Sequence, residues 1–339
     1  MFGSARRTGV QRSTRVAVIA VKNRGQATTI ANYNRPHTGG PRGDFERGEN
    51  EEDEIKAWEA GICSSASPFL FPAFRHKKTN TTYVDGGLLH NNPTVWAIEE
   101  YKKIWGSDLN ATLDILVSLG SGTFPNDGEF LHEVVETINK KESNWASFLL
   151  NSEITWRRFQ SSKAYNPTTH HRLNVAINWD CPLDNSYKIP DLLETLGTVY
   201  VSQDWDTEYV GGLLRNKVKE IAQLLVAKLF FFQPTRIVHD GEHQISLRLE
   251  GNILCRLGKN EKALDILFER VDRFRVVDGL APISGRTVRK MAMRGNGFET
   301  GLTIRPIDPS TPIQILVVMK GGGELVTPVM ISGFPREFN

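Results

Sequence analysis

The stretch Tyr83-Val84-Asp85-Gly86-Gly87 puts one carboxylate at the point where an extended segment turns sharply. Thr82, Tyr83 and Val84 are β-branched or aromatic and read as a strand, and two glycines then leave space around the Asp85 side chain. A carboxylate so placed can polarise a neighbouring hydroxyl and accept its proton. The same residues also read as an ordinary turn, because Asp-Gly is a common turn dipeptide. Asn91-Asn92-Pro93 follows, with Asn92 expected as a helix cap and Pro93 at the first helical position. Val95, Ile98, Tyr101, Ile104 and Trp105 then fall at helical spacing, Glu99 supports Lys103 on the outer face, and Gly106 ends the run. Turn and helix are thus expected to form one unit.

The flanking elements add context. Ile55-Lys56-Ala57-Trp58-Glu59-Ala60 reads as a helix, with the acidic run Glu51, Glu52, Asp53 and Glu54 suited to its N-terminus. Cys63-Ser64-Ser65-Ala66-Ser67-Pro68 and Phe69-Leu70-Phe71-Pro72 follow it, and downstream a strand from Leu113 to Leu119 ends in Gly120-Ser121-Gly122. In this order the blocks resemble the C-terminal half of a patatin-like phospholipase domain. Val16 to Val21, Asn32-Tyr33-Asn34 and Arg172-Leu173-Asn174 extend the resemblance over residues 14 to 230.

The resemblance implies a lipid acyl hydrolase with a Ser-Asp dyad. In the family a serine on a G-x-S-x-G elbow attacks the ester carbonyl and an aspartate from a D-G-A/G motif acts as its base. A glycine-rich loop ahead of the serine stabilises the oxyanion. By motif match Asp85 inherits the base role, with Gly86 and Gly87 completing the motif. The implied fold is α/β: an incomplete patatin-type, α/β-hydrolase-like sheet flanked by helices, then a smaller, mostly β domain. The implied substrates are fatty acyl esters of phospholipids or glycerolipids, with no cofactor and no metal.

The chain departs from the family at the nucleophile. No G-x-S-x-G occurs in the 339 residues, and no G-x-G-x-x-G precedes Asp85. Ser121 has Leu119 and Thr123 two positions away, Ser4 has Phe2 and Arg6, and Ser284 and Ser332 lack glycines at that spacing. In the family both missing motifs precede the strand that resembles Val16 to Val21, so an N-terminally truncated patatin-like domain is expected, inactive as it stands. The alternative is a catalytically dead relative that binds lipid or a partner protein. A third reading makes the C-terminal β domain the working part of an interaction protein.

Composition excludes some classes. With 40% hydrophobic and 24% charged residues the chain reads as an ordinary globular protein of about two domains. A formal net charge of +2 gives no reason to expect nucleic acid. Cys63, Cys181 and Cys255 are odd in number and widely spaced, which favours reduced thiols over a disulfide framework. The sequons at Asn80 and Asn110 carry little meaning without a secretory route. Residues 1 to 43 hold seven arginines and Lys22 with no acid and several hydroxyls, as a transit peptide does, but Arg15 to Val21 reads as a buried strand. The expected location is cytoplasmic or peripheral on intracellular membranes, with mitochondrial import as the alternative. No run reaches 18 apolar residues, so no transmembrane segment is expected.

The expected organisation is a basic tail at 1–14, the patatin-like portion at 15–233 and a mostly β domain at 236–339. Within the middle portion helices are expected near 129–140, 145–159 and 208–232. Trp145, Phe148, Leu149, Trp156 and Phe159 suit either an acyl pocket or plain core, and Leu224 to Phe232 suits either a bilayer surface or domain docking. Pro234 is expected to break the chain; after it, Ile245, Leu247 and Leu249 alternate with Ser246, Arg248 and Glu250, and Ile253 to Leu257 and Ile313 to Met319 read as further strands around a helix at 261–273. His239 and His243, with His170, His171 and Cys181, supply metal-ligand types without metal-site spacing. The Gly120-Ser121-Gly122 loop could cradle a phosphate or shape the site, and His90 reads as a surface histidine.

Overall fold

A computed structural model describes residues 14–23, 25–35, 42–47, 53–68, 70–106, 113–122, 152–174, 211–240, 246–257, 261–277, 283–284, 298–304, 313–320 and 328–333. It is a mixed α/β protein that divides into two compact units. The first comprises Met1–Asp108, Ser118–Asn166 and Asn174–Pro182, and the second Leu109–Val117, Pro167–Leu173 and Leu183–Asn339. The helix expected to end the patatin-like portion therefore falls in the second unit. The helix expected at 129–140 lies outside the described residues.

In the first unit, β1 (Ala17–Lys22) and β2 (Gln26–Ala31) form an antiparallel hairpin. Its turn uses left-handed backbone at Asn23 (φ 46°) and Gly25 (φ 130°), the residue types that tolerate it. β3 (Phe45–Glu46), β4 (Phe74–His76) and β5 (Thr81–Asp85) complete a five-stranded sheet in the order β3-β2-β1-β5-β4. Only the β2–β3 pairing is parallel. The expected strand around Val84 is β5, paired so that Asp85 lies opposite Ala20 on β1.

Helix α1 (Ala57–Ser65) is the predicted tryptophan helix. It starts where the Glu59 carboxylate accepts the Lys56 N–H at 2.8 Å, which satisfies one orphan donor of the first turn. Its Ala60 and Cys63 bury against Ala20, Ile30, Ile55 and Tyr83 in a small core. α2 (Gly87–His90) is a single turn, and α3 (Thr94–Trp105) ends at Gly106 as its spacing foretold. α4 (Ser152–Gln160) buries Trp156 and Phe159, which meet Tyr165 in a three-ring cluster with centroids 5.4 to 6.0 Å apart. Of the five candidate acyl-pocket residues these two are core, and Trp145, Phe148 and Leu149 lie outside the described residues.

β6 (Leu116–Leu119) and β7 (His170–Leu173) form a two-stranded sheet, and the division between units passes through β6 after Val117. In the second unit α5 (Gly211–Ala227) is followed by β8 (Phe230–Asp240), β9 (Ser246–Cys255), α6 (Glu261–Arg270), β10 (Val271–Val276) and β11 (Ile283–Ser284). β12 (Glu299–Ile304), β13 (Ile315–Met319) and β14 (Val329–Met330) complete it. The sheets run β12-β9-β8 and β11-β10-β13-β14.

Four expectations are corrected here. The helix expected to Phe232 stops at Ala227, and Phe230, Phe231 and Phe232 open β8. Phe230 and Phe232 are buried and Phe231 is partly exposed, a period of two that suits a strand. Pro234, expected to break the chain, sits inside β8, where a register shift between Pro234 and Arg236 absorbs its missing N–H. The helix expected to residue 273 ends at Arg270, and the two strands expected at 245–250 and 253–257 are one, β9. β9 runs through Gly251, where any side chain would meet the Gln233 carbonyl at 2.4 Å.

Candidate active site around Asp85

β5 delivers Asp85 to the edge of the first unit's core and Gly86 ends the strand. The glycine is required for space rather than for unusual dihedrals. Its φ of −64° is ordinary, but a Cβ would lie 2.1 Å from the Ile19 carbonyl oxygen of β1. The Gly87 N–H donates to Asp85 Oδ1 at 2.7 Å. That bond fixes the half-buried carboxylate, and Oδ2 meets no donor among the described residues. The Asp85 N–H donates to the Ala66 carbonyl at 3.0 Å, which joins the Ser/Ala turn after α1 to the carboxylate. Two blocks far apart in sequence, Cys63 to Pro68 and Tyr83 to Gly87, therefore meet at one point.

The Asn91-Asn92-Pro93 segment does more than begin a helix. α3 starts at Thr94, one residue later than expected, and Asn92 Oδ1 accepts both the Thr94 N–H at 3.1 Å and the Thr94 hydroxyl at 2.6 Å. Asn92 Nδ2 donates to the Ser152 carbonyl at 2.9 Å, and Thr94 Oγ1, its hydrogen engaged by Asn92, is hydrogen-bonded to the Ser118 hydroxyl at 2.9 Å. Asn92, Thr94 and Ser118 are all buried, where an unmade bond would cost about 1–3 kcal/mol. The turn bearing Asp85 is thereby held at its downstream end to the end of β6 and the start of α4.

The Gly120-Ser121-Gly122 loop is closed by protein. Asn174 Oδ1 accepts the Gly122 N–H at 2.8 Å, and Asn174 Nδ2 donates to Glu153 Oε1 at 2.7 Å. A Cβ on Gly120 would fall 2.1 Å from that Asn174 oxygen. These contacts support a shaping role for the loop over phosphate capture. His90 packs against Trp96 with ring centroids 4.6 Å apart and planes tilted by 54°, and burial pulls its pKa below the ordinary 6.5. Trp96 in turn donates to Thr29 Oγ1 at 2.8 Å.

A second polar group ties the segment around Asn32-Tyr33-Asn34 to α3. The Tyr33 hydroxyl and Arg35 Nε both donate to Glu100 Oε1 at 3.0 Å, and Arg35 also donates to Asp44 at 2.9 Å. Lys103 completes the group by donating to the other Asp44 oxygen at 2.5 Å. Burial alone would raise the Asp44 pKa, but the bonds from Arg35 and Lys103 outweigh it and hold the carboxyl below 3.8. Burial first, and then the Glu100 charge, push the Tyr33 hydroxyl well above its ordinary value. Helical spacing gave no sign that Glu100 would be buried.

Other candidates have structural settings. Cys63 is fully buried beside Glu59 and its thiol is pushed up to about 12, chiefly by burial, so it is a poor nucleophile. His170 and His171 are buried on β7 with pKa values below 6.5 through desolvation. No group of three or more metal-ligand side chains occurs among the described residues. Ser332 is buried and donates to Asp114 Oδ2 at 2.5 Å, while Arg256 donates to Ser332. His243, Cys181 and the sequon at Asn110 lie outside the described residues. No helix among those residues is long and apolar enough to cross a membrane.

Comparison with known proteins gives this geometry a context. The patatin-like phospholipase family model matches residues 12–98. The chain is 29% identical over 174 residues to the human protein named calcium-independent phospholipase A2-gamma, covering 51% of this chain and 20% of the human one. The rabbit protein of that name is 28% identical over 173 residues, with the same shares covered. An Arabidopsis thaliana protein named phospholipase A I is 36% identical over 116 residues, 31% of this chain and 8% of its own length. The chain spans about a fifth of the length of these mammalian relatives, and no solved structure matches it. The residues similar to the patatin-like phospholipase family, 12–98, hold β1, β5 and the Asp85 turn.

Proposed function

We propose that the first unit is the base-bearing part of a lipid acyl hydrolase, with Asp85 accepting the proton of a serine that attacks a fatty acyl ester. The observation that carries this reading is the Asp85 carboxylate itself. It stands at a strand end, one oxygen engaged by Gly87 and the other unengaged among the described residues, inside the stretch matched by the phospholipase family model. Gly86 serves by fitting the turn under β1, and Gly87 by donating its N–H to the carboxylate. The substrates are phospholipid or glycerolipid esters, in keeping with the names of the relatives. In this reading the patatin-like portion runs over 15–233 and the β domain over 236–339, and neither needs a cofactor.

No serine in the 339 residues has G-x-S-x-G spacing. Loss of the nucleophile from a serine hydrolase costs about 10⁶ in rate. The 339-residue protein is therefore expected to show no esterase turnover, and stoichiometric labelling of one serine by a fluorophosphonate overturns that. Reading the transcript ahead of the Met1 codon tests the hydrolase itself. An in-frame G-x-S-x-G supports it, and in that longer protein Asp85→Asn should lower kcat by about 10⁴-fold or more. The absence of that motif from the transcript favours the second reading, a relative that binds lipid or protein without turnover.

A further inference from the structure

Leu224 to Phe232, which from sequence suits either a bilayer surface or domain docking, buries Phe230 and Phe232 in the second unit's core. A different exposed apolar feature adjoins Asp85. After α1 the chain turns through Ser67, whose carbonyl accepts N–H groups from Leu70 at 3.1 Å and Phe71 at 2.9 Å. This turn holds Leu70 54% and Phe71 62% exposed. Its neighbour Ala66 accepts the Asp85 N–H, and Leu89, one turn beyond Asp85 on α2, is 44% exposed. Three large apolar side chains therefore face solvent on segments joined at the carboxylate.

The charge pattern beside them is one-sided. From Ala60 to Val84 the sequence contains Arg75, Lys77 and Lys78 and no aspartate or glutamate. All three cations are exposed, on β4 and the β4–β5 turn that follow Phe71 directly. Arg75 is steadied by two hydrogen bonds to Asn80 Oδ1, at 3.0 and 2.5 Å. Glu59, the acid before the segment, accepts the Lys56 N–H and lies 4.0 Å from buried His76. Three projecting apolar residues are too few for a standard protein interface, which covers about 800 Å² per partner. Short apolar insertion beside a cluster of cations is instead the pattern that binds an anionic membrane surface.

We infer that the Leu70–Phe71 turn, with Arg75, Lys77 and Lys78, is a contact for an anionic lipid surface. The inference rests on the reading of Asp85 as part of a lipid ester site. Leu70 and Phe71 enter the acyl boundary, the three cations meet headgroup phosphates or carboxylates, and Asp85 is kept beside the surface that holds its substrates.

Flotation of the 339-residue protein with vesicles tests this. Binding is expected to phosphatidylcholine vesicles containing phosphatidylserine, weakly to phosphatidylcholine alone, and to fall with added salt. Each cation is expected to contribute roughly fivefold, so R75Q/K77Q/K78Q should weaken binding about 100-fold. K77Q/K78Q, which spares the Arg75–Asn80 bonds, should weaken it about 25-fold. L70S/F71S should cost about tenfold or more, and L225S, an exposed apolar change on α5, nothing. Wild-type protein that binds neither vesicle, or both equally, overturns the inference, as do variants that bind like wild type. So does L70S/F71S turning a dimer into a monomer in sedimentation with vesicle binding unchanged, which makes this face a contact between copies. The readout needs no turnover, so it separates from the hydrolase reading. In the longer protein, loss of vesicle binding in L70S/F71S is expected with cleavage of a water-soluble ester retained. Full hydrolysis by Asp85→Asn would sink the base assignment alone.

Discussion

Where the unit that bears Asp85 is tied together by buried polar contacts, the other unit is filled with aromatic rings. The first has a small core of Ala20, Ile30, Ile55, Ala60, Cys63 and Tyr83, and relies on the Asn92–Thr94–Ser118 and Tyr33–Glu100–Arg35–Asp44 groups around it. In the second, Phe230, Phe268, Phe274 and Phe298 pack ring on ring, with Phe230 and Phe274 edge-on at 5.0 Å, among leucines, isoleucines and valines from both sheets and α6. Apolar packing is non-directional and stabilises in proportion to area, whereas hydrogen-bonded networks contribute little net energy but specify geometry. A region that must hold a carboxylate in one orientation gains from the second kind, and a scaffold from the first.

The largest expected effect is on the scaffold. Phe230→Ala should destabilise the second unit by about 3–5 kcal/mol, read by hydrogen exchange at β9 and β13 amides. Equal loss of protection at β1 and β5 would show that the units have no separate stability and would break the contrast. Glu100→Ala should cost the first unit about 3 kcal/mol, because Arg35 and Tyr33 lose a buried partner. A cost near zero in urea unfolding followed by tryptophan fluorescence would mean that the network is ornamental. Gly86→Ala should cost about 1–3 kcal/mol by forcing β5 away from β1, visible as shifted Asp85 and Ile19 amide resonances.

The smallest effect sharpens the comparison by acid. His170 and His171 are buried as neutral imidazoles with folded pKa values below 6.5, so the unfolded chain takes up their protons first. The stability that depends on them is present above pH 6.5 and is lost as pH falls through the lowered values. Asp44 has the opposite setting: its folded pKa lies below 3.8, so its contribution persists above 3.8 and is lost only on further acidification. Between those two values, amide protection at β7 and α5 should weaken while the Arg35–Asp44 contact survives. Loss in the reverse order would contradict both assignments.

Much of the site is readable from local sequence. The Asp85 turn, the helix around Trp58 and the hairpin strand at Val16 to Val21 are encoded within a few residues of themselves, through turn glycines, β-branched runs and apolar spacing. The same local signals mislead at Phe230 to Phe232, where a short apolar run fits helix and strand equally and only pairing with β9 decides. They also understate Asn92, which looks like a helix cap and is a junction reaching Ser152.

The sequence by itself determined that a strand would end in a carboxylate at a sharp glycine turn, because backbone sterics and hydrogen bonding over a few residues settle such features. Only the tertiary structure decided that Ala66 would seat Asp85, that Glu100 would be buried on Arg35, and that Leu70 and Phe71 would face solvent beside the site. Those outcomes depend on which distant surfaces exclude water from one another, and that is fixed by packing of the whole unit rather than by any segment alone.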